Sequence, residues 1–306
     1  MGDQSPDAVS EACPACAGRV FGDWVRLLRF PHWVKNAIVF PALLLAGRAG
    51  DAEAWRQAIW VFAAFCLASS AVYAVNDVMD QAADRAHPSK RERPVAAGRL
   101  RSPAVCWAAL LLAVAGLAFA SLAQAPAGVC VGLYLAVNAA YSLCLKHVPI
   151  VDACCVGVGF VLRVAAVTGW SDQGPRAGLL LASVFGLCFF LALAKRAVDL
   201  RALGAAGPNP LSVPAFDGYT TCTLRGLLWS SALLALVPYG LFVWTVAAKA
   251  PLAVVSLVPV AYSLLRMARL SAAGAYAEPV TLVRSDYRLV AAAAGWLALW
   301  VWVTLQ

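Results

Sequence analysis

The sequence predicts an all-α membrane protein, a polytopic helical bundle of about nine transmembrane helices, on three observations. Hydrophobic residues fill 62% of 306 positions, charged residues only 13%, and the mean hydropathy is +0.75. An ordinary soluble domain carries about a quarter charged residues, so a disordered chain is excluded and a soluble globular enzyme disfavoured. The apolar residues also fall in runs matching the roughly 17–25 residues a bilayer requires. Finally, the alternation of a β-barrel is absent, and in lipid an open chain satisfies its backbone only as helix.

Residues 1–20 are polar and small, without a charged segment leading into an apolar core. They read as a flexible cytoplasmic tail with no cleaved signal, ahead of one membrane domain over 21–306. Phe21, Trp24, Val25 and Leu28 recur at helical spacing beside Arg26 and Arg29, the pattern of an interfacial amphipathic helix. The apolar runs then predict spans over 32–48, 56–76, 103–122, 127–145, 150–170, 177–195, 226–247, 250–268 and 288–305.

Orientation follows from Lys and Arg. With the N-terminus inside, 19 of the 24 basic residues fall on the inner side, four on the outer, and Arg163 lies within a span. The positive-inside bias puts the N-terminus in the cytoplasm of a cell (inner) membrane, and an odd number of spans puts the C-terminus outside. Basic residues divided among short loops disfavour nucleic acid as a partner. Of ten cysteines, Cys66, Cys106, Cys130, Cys144, Cys154, Cys155 and Cys188 lie in predicted spans as small apolar packers. Cys13 and Cys16 form a lone CxxC without the second pair a zinc site needs.

The informative stretch is Asn76 to Gly98, at the inner end of the second span. Asn76, Asp80 and Asp84 recur at i, i+4 and i+8 on one helical face, and Asp77 borders it. Stacked carboxylates repel, and the basic residues that normally interleave them come later as a block: Lys90, Arg91, Arg93. A divalent cation resolves that repulsion. Mg²⁺ prefers oxygen ligands and typically bridges one or two carboxylates to substrate phosphates, and Mn²⁺ fits the same donors. The basic block supplies charge for the remaining phosphate oxygens. The alternative is an ordinary charged helix end that obeys the positive-inside rule.

Asn76-Asp77-x-x-Asp80-x-x-x-Asp84 with Arg93-Pro94 and Gly98 resembles the first Asp-rich motif of UbiA-type intramembrane prenyltransferases. Phe30-Pro31-His32-Trp33-Val34-Lys35-Asn36 and His87-Pro88-x-Lys90-x-x-Arg93-Pro94 are similar to the decaprenyl-phosphate phosphoribosyltransferase branch. So are Tyr141-Ser142-x-x-Leu145-Lys146, Asp152, Gly159-Phe160-x-x-Arg163, Lys195-Arg196-x-x-Asp199-Leu200 and Pro279-Val280-x-Leu282 with Asp286. Asp199 stands where relatives carry Glu, and the run after Arg163 departs from theirs. The resemblance implies catalytic roles for Asp77, Asp80, Asp84, Lys146 and Asp152, with the first three holding the metal. It implies substrate contacts for Arg29, Lys35, Asn36, Asn76, His87, Lys90, Arg93, Tyr141, Arg163, Lys195 and Arg196.

A charge at membrane depth costs at least about 2.5–3.5 kcal/mol, so Asp152 and Arg163 are expected to be functional. Lys146 and Asp152 are expected to face a cavity mouth opposite the acidic ladder, with Asp152 holding a second Mg²⁺ or orienting Lys146. A buried pair with a carbonyl or carboxylate is the alternative for Arg163, a helix-end ion pair with Asp199 for Lys195, and interfacial anchoring with Trp33 for Arg29, Lys35 and Asn36.

The expected reaction is attack by a polyprenyl phosphate on C1 of 5-phosphoribose 1-diphosphate (PRPP), releasing diphosphate. The nucleophile is already an anion, which agrees with the absence of any hydrolase-like triad. The product would serve arabinan and cell-wall synthesis. The alternatives are transfer from a prenyl diphosphate to an aromatic acceptor, and a non-enzymatic transporter; a homo-oligomer is left open. The basic load favours the first, because PRPP and a lipid phosphate together bring the greater negative charge.

Overall fold

The computed structural model describes residues 14–88, 90–168, 174–206, 219–248, 250–274 and 286–305. Eleven α-helices run through them in chain order: α1 Pro14–Leu28, α2 Val39–Leu45, α3 Ala52–Met79, α4 Gln81–Ala86, α5 Ser102–Ala123, α6 Ala125–Leu143, α7 Val151–Thr168, α8 Pro175–Ala206, α9 Thr221–Ala247, α10 Leu257–Ala273 and α11 Tyr287–Leu305. Among the described residues there is no strand.

Eight helical stretches are long and apolar enough to cross a membrane, matching the second to ninth expected spans. The first expected span, 32–48, is instead a 3-10 segment, Phe30–Ile38, followed by the seven-residue α2. Pro31 and Pro41 interrupt an apolar run that hydropathy alone reads as continuous. The segment is sewn to α3 by side chains: Trp33 Nε1 donates to Ser70 Oγ at 3.0 Å, and Ser70 Oγ donates to the Leu28 carbonyl at 2.7 Å. Helix α1 begins at Pro14, within the stretch expected to be a loose tail. Cys13 and the Cys16 side chain lie outside the described residues.

The bundle packs as two connected halves. In one, α3 lies along α5, with α6 and α7 completing a core around Phe65, Val131, Tyr134 and Leu162. In the other, α8 lies along α9, and α10 and α11 close it around Phe190, Tyr239, Phe242 and Trp300. Without a hydrophobic drive between helices in lipid, close approach depends on small residues. A Cβ on Gly186 of α8 would sit 2.4 Å from the Ala235 nitrogen of α9, so only glycine permits that crossing. Asp51 starts α3 by accepting from the Glu53 and Ala54 backbone nitrogens at 3.0 and 3.1 Å. Arg29, Arg85, Arg93 and Lys146 gather at the opposite end of α3, the basic end of the bundle.

Candidate active site

Helix α3 stops at Met79. Asp80 is its C-cap with φ −89° and ψ 7°, and a separate short helix, α4, follows. The continuous face expected for Asn76, Asp80 and Asp84 is therefore broken. Asp77 and Asp84, two helical turns apart, lie together, both 3% exposed, and Asp80 is half-buried with a different partner.

Arg93 joins the first two. Its Nη1 lies 2.6 Å from Asp84 Oδ2 and 3.3 Å from Asp77 Oδ1. Arg29 donates from Nη2 to the same Asp77 oxygen, and its guanidinium sits 4.9 Å from the Tyr73 ring centroid. Arg29 itself has φ 52°, a left-handed conformation uncommon outside glycine. That turn between α1 and the 3-10 segment carries the guanidinium to Asp77. Helix α1 is fixed by a buried carboxylate, Asp23, which accepts from Arg99 Nε at 2.8 Å. Helix α4 holds the loop that bears Arg93: Gln81 Nε2 donates to the Val95 carbonyl and Arg85 Nε to the Ala96 carbonyl, each at 2.9 Å. Lys90 is exposed, and His87 is half-buried at the end of α4.

Asp80 faces across the site. Lys146 Nζ donates to its Oδ1 at 2.8 Å, so Lys146 does stand opposite the acidic stretch. Asn76 Oδ1 accepts from Ser142 of α6, which ties α3 to the residues just before Lys146.

Asp152 does not join that pairing. It is fully buried, accepts from Arg196 Nε at 2.7 Å, and accepts from the Tyr219 hydroxyl at 3.0 Å. Tyr219 Oη in turn accepts the Ile150 backbone N–H, at a β-branched residue held at φ 70°. Burial pushes the Tyr219 phenol up to about 12, so it remains a donor across the physiological range. Arg196 also bonds Tyr141 and lies 3.8 Å from Asp199. Lys195 is half-buried beside it. The expected links from Asp152 to Lys146 and from Asp152 to a second ion are replaced by this Asp152–Arg196–Tyr219 clamp. Two partners, the partly buried Arg196 and the buried Tyr219, already occupy the carboxylate.

Arg163 and Asn36 lie deeper. Asn36 is 1% exposed; its amide donates to Cys66 Sγ and Ser69 Oγ, each at 3.3 Å, and its Oδ1 accepts from Arg163 Nε at 2.7 Å. Arg163 Nη1 donates to the Gly159 carbonyl at 2.6 Å. The guanidinium stands within 4.5–5.2 Å of the Tyr134, Phe65 and Phe160 ring centroids, a cation–π enclosure. Asn36 is a bridge between α3 and α7, with its amide atoms committed internally. Lys35 is half-buried nearer the rim.

Sequence reasoning missed Tyr219, Asp23, Arg99 and Ser142. None sits in a charge pattern of its own; only the capping Thr220 and Thr223 mark where α9 starts beside Tyr219.

Among the described residues, no three His, Cys, Asp or Glu side chains converge as a metal cluster, so Asp77, Asp80 and Asp84 do not meet at one point. Two do. Asp77 and Asp84 hold one guanidinium nitrogen between an oxygen of each, a place where a cation already sits. Two carboxylates with the rest of the shell left to water and phosphate is a donor set Mg²⁺ accepts.

Fold and site define a multi-pass α-helical membrane protein with a two-carboxylate, arginine-flanked centre at one end of the bundle. The chain matches the UbiA prenyltransferase family over residues 37–278. It is 32% identical over 280 residues to decaprenyl-phosphate phosphoribosyltransferase of Mycobacterium tuberculosis, covering 90% of this chain and 91% of that one. The enzyme of the same name from Mycolicibacterium smegmatis is 34% identical over 225 residues, 72% of this chain and 70% of its own. A UbiA homolog from Archaeoglobus fulgidus, solved with DMAPP and Mg²⁺, shares the fold with a TM-score of 0.68 at 16% identity over 92% of this chain and 99% of its own. The chain belongs to the UbiA prenyltransferase family, and it is an enzyme, a membrane transferase.

Proposed function

We propose that this transferase moves the 5-phosphoribosyl group from 5-phosphoribose 1-diphosphate to a polyprenyl phosphate and releases diphosphate. The observation that carries this reading is the 32% identity across nine-tenths of both chains to an enzyme named for that acceptor. The site's charges agree with it. Arg29 and Arg93 bracket Asp77, Lys146 stands beside Asp80, and Lys90 is exposed in the connection that carries Arg93.

Mg²⁺, or Mn²⁺ in its place, held by Asp77 and Asp84 would neutralise charge growing on the departing diphosphate. Arg93 then turns from the carboxylates to phosphate oxygens. Arg29 stays on Asp77 and fixes its orientation. Lys146, anchored on Asp80, presents its ammonium to the mouth, where it meets the acceptor phosphate. Bond breaking at ribose C1 runs ahead of bond making, and the guanidinium groups stabilise the leaving charge. The acceptor oxygen is ionised at neutral pH, so no side chain is required to remove a proton.

The same reading puts the N-terminus and site on the cytoplasmic face of the cell membrane and the C-terminus outside; the basic residues at this end support it, with the broken segment 30–45 as a ninth crossing beside the eight helical ones. The test is a paired assay on purified protein. Diphosphate release from phosphoribosyl diphosphate that depends on added polyprenyl phosphate supports the proposal. Product from geranyl diphosphate and 4-hydroxybenzoate, with none from the first pair, replaces it with aromatic prenyl transfer.

A further inference from the structure

A concavity lies against α8. It measures about 760 Å³ and is formed by the basic ends of α8, α9 and α10. Phe190, Leu228 and Leu265 make an apolar interior, and Arg201, Arg225 and Arg269, one from each helix, line its exposed rim. On α8 the groove takes Ala197, Leu200 and Arg201, spaced i, i+3 and i+4. Arg196, which clamps Asp152, does not line it, and neither do Asp77, Asp84 and Arg93. The groove is therefore separate from the carboxylate centre.

Its arginines differ from most others at this end. Arg26 and Arg99 pair with Asp23, Arg93 with Asp77 and Asp84, and Arg266 with Asp286. Arg201, Arg225 and Arg269 make no hydrogen bond or ion pair among the described residues. A general bias toward basic residues at one membrane face places arginines at that depth. It does not gather three unneutralised ones, from three helices, over a cavity large enough for a ligand and walled with leucine and phenylalanine. The ligand that matches carries phosphate negative charge at one end and hydrocarbon at the other, and the membrane itself supplies that chemistry.

We propose that this groove binds one anionic phospholipid, its headgroup phosphate across Arg201, Arg225 and Arg269 and an acyl chain along Phe190, Leu228 and Leu265. Such a lipid joins α8 to α10 beside the Arg196 clamp without entering the transfer chemistry. Its binding needs neither donor nor acceptor and stands apart from the proposed reaction.

The test uses the full chain in neutral detergent, titrated with phosphatidylglycerol or with phosphatidylcholine of the same acyl chains, and reads bound lipid by native mass spectrometry. The expected result is one retained phosphatidylglycerol, preferred by at least about tenfold. The triple variant Arg201→Gln, Arg225→Gln, Arg269→Gln loses the preference. A control triple, Arg19→Gln, Arg101→Gln, Arg288→Gln, removes equal charge outside the groove and keeps it. Equal retention of both lipids by the wild type overturns the proposal. So does a preference that survives in the groove variant, or one lost equally in both triples. Should the groove triple fail to fold, Arg225→Gln alone decides by the same titration: a several-fold weaker phosphatidylglycerol signal supports the site, and an unchanged one overturns it.

Discussion

Replacing Asp152 with Ala strips the counter-charge from Arg196, whose side chain is only 20% exposed. Removing one member of a buried pair costs about 3–5 kcal/mol, because the other charge stays behind without compensation. Here Asp199, 3.8 Å from Arg196, and the residual solvent contact reduce that loss to about 2–3 kcal/mol. The Tyr219 hydroxyl also loses its acceptor, which adds about 1 kcal/mol. In a chain of this size each kcal/mol moves Tm by roughly 2–4 °C, so Asp152→Ala should unfold roughly 6–16 °C below the wild type. The assay is thermal unfolding in detergent of Asp152→Ala, Arg196→Ala and the double variant. The two losses should be strongly non-additive, with a coupling of about 2 kcal/mol. Additive losses, or a Tm within about 2 °C of the wild type, would refute the clamp as a stabilising unit and return Asp152 to the site opening.

Tyr219→Phe removes both the donor to Asp152 and the acceptor of the Ile150 N–H, and a cost of about 1–3 kcal/mol is expected in the same unfolding assay, without loss of the Asp152–Arg196 coupling. Asn36→Ala takes the Oδ1 acceptor from a buried Arg163 and should destabilise by about 2–3 kcal/mol, whereas Lys35→Ala at the rim should leave Tm nearly unchanged. The Arg266 guanidinium holds the Asp286 carboxyl below the usual carboxylate range, with the Arg288 and Leu289 backbone nitrogens assisting. A folded-state value below the unfolded one gives stability that is present above about pH 4 and lost as pH falls through the folded value. Hydrogen exchange at the start of α11 should thus be flat from neutral pH to about pH 5 after correction for intrinsic rates and rise below pH 4, and Asp286→Asn should abolish that step.

The bundle was legible in the sequence because lipid leaves a chain few choices. Spans two to nine followed from runs of apolar residues and fell on helices α3 and α5–α11. The first did not, since Pro31 and Pro41 break the helix and Trp33 and Asn36 bond to α3 rather than to lipid. At the site, the residue types were legible and their pairing was not. Helical periodicity put Asp80 and Asp84 on one face, but the chain leaves helical geometry at Asp80 with no proline or glycine to mark the break. Asp77 meets Asp84 two turns on, a spacing the sequence also offered, and Asp80 goes to Lys146. Lys146 was found by its place opposite the acids. Asp152 was misdirected because its partner Arg196 is 44 residues away and Tyr219 is 67 away, beyond any local pattern. Arg163 carried the cost of a charge at depth, which local sequence does reveal. Its enclosure by Phe65, Tyr134 and Phe160 depends on helix packing.

We propose that Asp77 and Asp84, and not Asp80, form the cation-binding pair. The direct measurement is the Mg²⁺ concentration for half-maximal diphosphate release by the wild type, Asp84→Asn and Asp80→Asn, with polyprenyl phosphate and phosphoribosyl diphosphate supplied. The account predicts that Asp84→Asn raises that concentration by about tenfold or more, while Asp80→Asn lowers turnover at an unchanged Mg²⁺ requirement. A Mg²⁺ requirement raised by Asp80→Asn and untouched by Asp84→Asn would contradict it.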